Sequence, residues 1–158
     1  MNKIRKTEIV KFSIILIIFV FFVNCSFESE PEKVWNLRRK IVKLAESLRG
    51  IPYHYGGTDI YGFDCSGFVF YLYDSFGIDI PRTAKKQGKM RYHIKFKNAK
   101  SGDILIFKIK KKQWHSGIYV NKRYFIHSPN GRGIIRREKY LRYWKKRIKY
   151  VVSILDDF

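Results

Sequence analysis

A chain of 158 residues has room for one folded domain and excludes a separate targeting domain. Its apolar fraction of 46% is ordinary for a globular protein, and a domain of this size buries roughly two-thirds of its unfolded surface without disulfide staples. The charge is not ordinary: 33 Lys and Arg stand against 13 Asp and Glu, a formal +20, with an aromatic share of 17%.

The chain begins with "MNKIRKTEIVK", rich in basic residues, followed at 12–23 by the apolar run "FSIILIIFVFFV". A membrane-spanning helix needs roughly 20 such residues, so this shorter run fits the core of a secretory signal. It ends at "FVNC". A cysteine directly after such a run resembles the lipobox of bacterial lipoproteins, whose thiol is acylated and becomes the new N-terminus. Val23 suits that pattern, and Asn24 stands where Gly or Ala is usual. The resemblance implies a signal peptide over 1–24, lipid at Cys25, a tether over 25–32, and a membrane-anchored place in the cell envelope. The alternatives are an uncleaved signal anchor, or cleavage elsewhere with an incidental cysteine. With Cys25 lipidated, Cys65 has no disulfide partner, and a lone thiol in an exported protein is either inert or chemically used.

Export also bears on the charge. Residues 101–158 hold 15 basic and 4 acidic side chains. Nucleic acid is the first partner such a balance suggests, and export argues against it. Anionic phospholipid headgroups or an anionic wall polymer fit better, with a merely solvated basic face as the plain alternative.

From residue 29 the segment "SEPEKVWNLRRKIVKLAESLRG" has the period of an amphipathic helix. Val34, Leu37, Ile41, Leu44, Ala45 and Leu48 form its stripe, Ser29 and Glu32 suit a capping box, and Gly50 stops it. "IPYHYGGTDIYG" has the composition of a loop. Asp64 is a suitable N-cap for a second helix with the stripe Phe68, Val69, Leu72 and Phe76, ended by Gly77. A short helical turn is expected in "IPRTAKKQGK". The period then changes. "DILIFKI", "HSGIYV", "YFIHSP", "GIIRRE" and "YVVSIL" are the expected strands of an antiparallel set. Helices followed by strands indicate an α+β fold, with helices packed on a small antiparallel sheet or half-barrel.

Cys65 falls in the first turn of the second helix, where the helix dipole and free N–H groups favour a thiolate. Gly62 and Gly67 leave room there for a substrate backbone. Four histidines are available as bases: His54, His93, His115 and His127. The first two are expected at the surface. His115 opens one strand and His127 lies inside the next. With a three-residue loop at Asn121, Lys122 and Arg123, Gly117 pairs with His127, and His115 lies diagonal to His127 on one face at roughly 7 Å. A two-residue loop puts His127 opposite Ser116, on the other face. A cysteine with two histidines can also bind zinc, but a fourth ligand is not evident.

The blocks "GIPYHYGG", "GFDCSGFVFYLY", "GIDIPR", "GDILIF", "HSGIYV" and "YFIHS" resemble, in order and spacing, the NlpC-type family of bacterial cell-wall cysteine peptidases. The likeness runs over about residues 35–155. Its "DCSG" is matched in full at 64–67, its "PYxYGG" at 52–57 and its "GD" turn at Gly102 and Asp103. Its "HVGIY" stands at 115–119 with Ser116 in place of a small apolar residue, and its "FIHA" at 125–128. The ending "YWKKR" at 143–147 is shared with small lipoprotein murein endopeptidases. The resemblance implies a papain-like domain over 33–158 with the nucleophile at a helix N-terminus. By position, Cys65 is the nucleophile, His115 the general base and His127 the residue orienting it. Tyr53, Ser66 and Arg82 are candidates for oxyanion or substrate contacts, Arg82 either receiving a carboxylate or holding the helix end. The implied substrate is a peptidoglycan stem peptide, cut at a D-Ala or γ-D-Glu bond to a diamino acid, by a monomer without metal or cofactor. The alternatives are a wall- or anionic-lipid-binding module that has lost turnover, and a relative acting on other amides.

Overall fold

In the computed structural model the described residues are 29–131 and 133–157; the apolar run at 12–23 and Cys25 lie outside them. Among the described residues no helix is long and apolar enough to cross a membrane. The compact unit that carries the site begins at Val34.

Helix α1, Glu30–Ser47, starts where the Ser29 carbonyl accepts the N–H groups of Glu32 and Lys33. Its stripe is the expected one, with Ile41, Ala45 and Leu48 buried, and Gly50 follows with a positive φ of 94°. One residue on that stripe is a cation. Arg38 is 4% exposed; it pairs with Asp103 at 2.6 Å and donates to Ser101 O, Ser153 Oγ and Asp156 Oδ1 at 2.8–3.0 Å. Asp103 also accepts the Lys100 N–H at 2.7 Å and the Ser153 hydroxyl at 2.9 Å. A single buried cluster thus fastens α1, the Gly102–Asp103 turn and the C-terminal segment. Gly102 has φ 89°, a left-handed turn that disfavours other residues.

The expected loop after α1 holds a small hairpin, β1 (Thr58–Asp59) and β2 (Gly62–Phe63), and Tyr53 bridges to Phe63. Helix α2, Cys65–Asp74, follows at once, and α3, Ala84–Gln87, is the expected short turn, capped by Thr83. The main sheet has six strands in the order β3 (His93–Ile94), β8 (Ile148–Val152), β4 (Ile104–Lys108), β5 (Trp114–Tyr119), β6 (Tyr124–His127) and β7 (Arg136–Lys139), all antiparallel. Ile104, Ile106, Ile118, Ile126 and Val152 point into the core beneath the helices. The opposite face is covered too: Leu105, Phe107, Tyr119, Phe125 and Val151 pack with Tyr140 and with Trp144 of α4, Arg142–Lys145. Cover on both sides is why "DILIFKI" is apolar without alternation.

Several expected boundaries shift. The segment "GIIRRE" gives only its end to β7, because Ile134 makes a lone bridge to Pro52 and Ile135 is buried in the core. The first helix after the loop ends at Asp74, and Gly77 turns with φ 72° beyond it.

Arg38→Ala leaves Asp103, which is fully buried, without its cation, and should cost about 3–5 kcal/mol, read as a shift of the urea midpoint. Arg38→Met combined with Asp103→Leu should recover most of that loss. A cost below about 1 kcal/mol, the range of exposed pairs, would show that the cluster does not fasten the fold.

Candidate active site

Asp64 builds the start of α2. Its Oδ1 accepts the Gly67 N–H at 2.6 Å and the Ser66 hydroxyl at 3.0 Å, and its Oδ2 accepts the Gly56 N–H at 3.1 Å. Both terminal nitrogens of Arg82 grip the same carboxylate, at 3.0 and 2.6 Å, and Arg82 reaches Gly57 O at 3.3 Å. Burial alone would raise the pKa of Asp64, but Arg82 and the Gly67 N–H outweigh it and hold the carboxyl below its usual range. The buried Ser66 hydroxyl is spent between Asp64 and Arg82, and the Gln87 side chain holds the Ser66 carbonyl at 3.1 Å. Ser66 and Arg82 therefore shape the helix start. Gly67 is required by space: a Cβ there would lie 2.0 Å from Gly57 O.

Cys65, half-buried and a free thiol, stands at the end of this scaffold. The Ser116 peptide N–H points at its sulfur, so the thiol lies against the residue next to His115. Tyr53 is close enough for the Cys65 charge to act on its hydroxyl. Burial first, then Cys65 and Asp64, push the Tyr53 pKa up and keep it a neutral donor.

The loop question has a definite answer. Ile118 pairs with Ile126 and Tyr119 with Phe125, and Val120 N–H donates to Tyr124 O at 3.1 Å. This is the register of the three-residue loop, and continuing it sets Gly117 across from His127. His115 Nε2 and His127 Nδ1 are 2.8 Å apart, with the rings nearly perpendicular at 86°. A Cβ on Gly117 would sit 2.8 Å from Ile126 O and 3.1 Å from His127 Cβ, so the missing side chain opens the way for His127. Both imidazoles are buried, at 4% and 0% exposure. His54 and His93 are exposed as expected, His93 stacking on Tyr150 at 4.5 Å.

Two contributors escaped the sequence reading. Glu138 Oε2 lies 3.2 Å from His127 Nε2 and 2.9 Å from Arg136 Nε, and extends the chain of polar groups by one member. Its local signal is the i, i+2 spacing with Arg136 in a charged strand. Trp144 packs on both imidazoles, with centroids 5.5 Å from His115 and 5.1 Å from His127. It is the tryptophan of "YWKKR". A cavity of about 200 Å³ lined by Ile109, Gln113, His115, Pro129, Asn130, Tyr143 and Trp144 opens beside His115.

Burial sets the protonation states. It pushes His115 down to about 3, His127 adding to the fall, and it lowers His127 as well, against the pull of Glu138. Glu138 is held down at about 2, first by its bond to His127. Burial pushes the Cys65 thiol up; the Ser116 N–H opposes this and the Asp64 carboxylate adds to it. The helix start alone argued for a lowered thiol. Desolvation outweighs it, so the resting site is a neutral thiol beside a neutral imidazole.

Helices on an antiparallel sheet, with a cysteine at a helix start beside the strand that carries His115, define a papain-like α+β domain. Residues 50–153 match the NlpC/P60 family, and the chain belongs to that family. It is 31% identical over 122 residues to "Murein DD-endopeptidase MepS/Murein LD-carboxypeptidase" of Escherichia coli (strain K12), covering 77% of this chain and 65% of that relative's length. It is 33% identical over 145 residues to "Probable endopeptidase NlpC" of the same organism, covering 86% of this chain and 94% of that one. Among solved structures, the NlpC/p60 domain of the peptidoglycan hydrolase SagA superposes with a TM-score of 0.65 at 29% identity, over 74% of this chain and 98% of that one.

A thiol raised above its ordinary value of 9.0 holds less thiolate at any given pH than free cysteine. Alkylation of Cys65 by iodoacetamide should therefore be no faster than that of free cysteine at pH 6, and should climb steeply only in alkali. Rapid alkylation at pH 6 would contradict the neutral resting pair.

Proposed function

We propose that this chain is a cysteine endopeptidase of peptidoglycan, with Cys65 as nucleophile, His115 as general base and His127 as the group that orients His115. The observation that carries the reading is the 2.8 Å contact of His115 Nε2 with His127 Nδ1. It commits one nitrogen of the base and leaves Nδ1 for the thiol. In the first step Nδ1 takes the Sγ proton as sulfur attacks the amide carbonyl carbon, and the carbonyl electron pair moves to oxygen. The Cys65 backbone N–H and the neutral Tyr53 hydroxyl supply donors to that oxyanion. Collapse breaks the C–N bond, and His115 gives its proton to the leaving amine. Water then attacks the thioester, its proton going to His115; collapse breaks the C–S bond, and His115 returns that proton to the sulfur.

The substrate is a stem peptide of the wall. The Escherichia coli relative named a murein DD-endopeptidase favours, for this reading, the D-Ala to diamino acid bond of cross-links over the γ-D-Glu bond. The cavity beside His115 supplies Gln113 and Asn130 as hydrogen-bonding groups next to Trp144 and Tyr143. Cell-envelope placement, with a lipid on Cys25, belongs to the same reading.

Purified sacculi incubated with the protein should release fragments whose masses identify the cut bond. Cys65→Ala and His115→Ala should abolish release. His127→Ala should slow it by about 30- to 1,000-fold, equivalent to roughly 2–4 kcal/mol in the barrier. Binding to sacculi without fragments would replace the enzyme by a binding module. For the anchor, a palmitate analogue should label the wild type and not Cys25→Ser; equal labelling would contradict it.

A further inference from the structure

Glu138 is tied to the base through His127 and has no part in the steps above. It lies on β7, where Phe125 is its cross-strand partner and Arg136 is the partner of His127. Glu138 and Arg136 thus share the sheet face of His127, and Glu138 reaches His127 diagonally, as His127 reaches His115 from the next strand. Three neighbouring strands each contribute one group to a row: His115 from β5, His127 from β6 and Glu138 from β7.

The two contacts in that row, 2.8 Å and 3.2 Å, restrict where protons can sit. An ionised carboxylate only accepts hydrogen bonds, and a neutral imidazole has one donor and one acceptor nitrogen. Arg136 Nε, donating to the same Oε2 at 2.9 Å, favours the ionised carboxylate. His127 must then carry its proton on Nε2 and accept at Nδ1. His115 must in turn carry its proton on Nε2, and its Nδ1 is bare. Without Glu138, His127 is free to protonate Nδ1 and donate to His115 Nε2. That reverses the row and puts the His115 proton on Nδ1, where the thiol proton has to go.

We infer that Glu138 is a positioning residue, whose carboxylate, accepting from His127, fixes the tautomers of both imidazoles and keeps His115 Nδ1 open to the Cys65 proton. The inference rests on the thiol-hydrolase reading above. Glu138 itself stays clear of the reacting atoms and acts only through His127. Its partly exposed place at the sheet edge makes it replaceable without opening the core.

The test uses the whole folded protein, kinetics of fragment release from wall peptides, and ring ¹⁵N spectra of His127. Glu138→Ala should lower kcat by about ten- to a hundred-fold with KM within two-fold of wild type, the range for loss of a partner that orients a histidine. Glu138→Gln, which still offers a neutral acceptor, should recover part of that loss. Because Glu138 acts through His127, Glu138→Ala with His127→Ala should be no slower than His127→Ala alone. The spectrum of Glu138→Ala should show His127 shifting from the Nε2–H toward the Nδ1–H form. Unchanged kcat in Glu138→Ala, an additive loss in the double variant, or an unchanged His127 tautomer would each overturn the inference. The spectrum needs no substrate, so a wild type that releases nothing while its His127 responds to Glu138 would sink the hydrolase reading and leave the positioning role standing.

Discussion

The site depends on the register between β5 and β6. With Ile118 opposite Ile126 and Tyr119 opposite Phe125, His115 and His127 fall on one face and meet at 2.8 Å. A slip by one residue would turn His127 to the other face, into the core beneath the helices. The loop at Asn121–Arg123 holds the register through its own bonds, the Asn121 side chain accepting the N–H groups of Arg123 and Tyr124 at 2.9 and 3.1 Å. The apolar partners on the opposite face hold it as well, since Ile118 and Ile126 are both fully buried. Gly117 completes the arrangement by leaving space for His127. The helix start meets β5 at the Ser116 peptide, whose N–H points at the Cys65 sulfur.

Burial explains the chemistry that the register makes available. Trp144, Phe107 and Phe125 surround the two imidazoles and exclude water from them. A dry imidazole remains neutral, and burial likewise favours the protonated form of the Cys65 thiol. The aromatic packing that stabilises the second face of the sheet is thus also the environment of the base. Part of the basic excess packs on aromatic rings: Arg147 lies over Tyr143 at 3.7 Å, and on the helix-covered face Arg137 pairs with Glu46 and covers Tyr124.

Much of this was legible in the sequence because it follows from local rules. Asp64 ahead of an apolar stripe marked a helix start, and period-two strands with a three-residue loop placed His115 beside His127. The family blocks named the same residues. What escaped depends on tertiary surroundings. "IPYHYGGTDIYG" looked like loop because its hairpin strands are two residues each and are held by bridges to Phe63 and Ile134. Arg38 carries no local sign of burial, since its partners Asp103 and Asp156 are 65 and 118 residues away. Glu138 sits in a run of charges whose destination only the sheet reveals. The thiol follows the same pattern: the helix terminus that favours a thiolate is local, and the burial that opposes it is not.

The central claim is where the protons sit in the resting site. Neutron diffraction from a crystal exchanged into D₂O at neutral pH would observe them directly. The expected map has deuterium on Nε2 of both His115 and His127, none on His115 Nδ1, and a deuteron on the Cys65 sulfur. Deuterium on His115 Nδ1 beside a bare sulfur, or on His127 Nδ1, would contradict it.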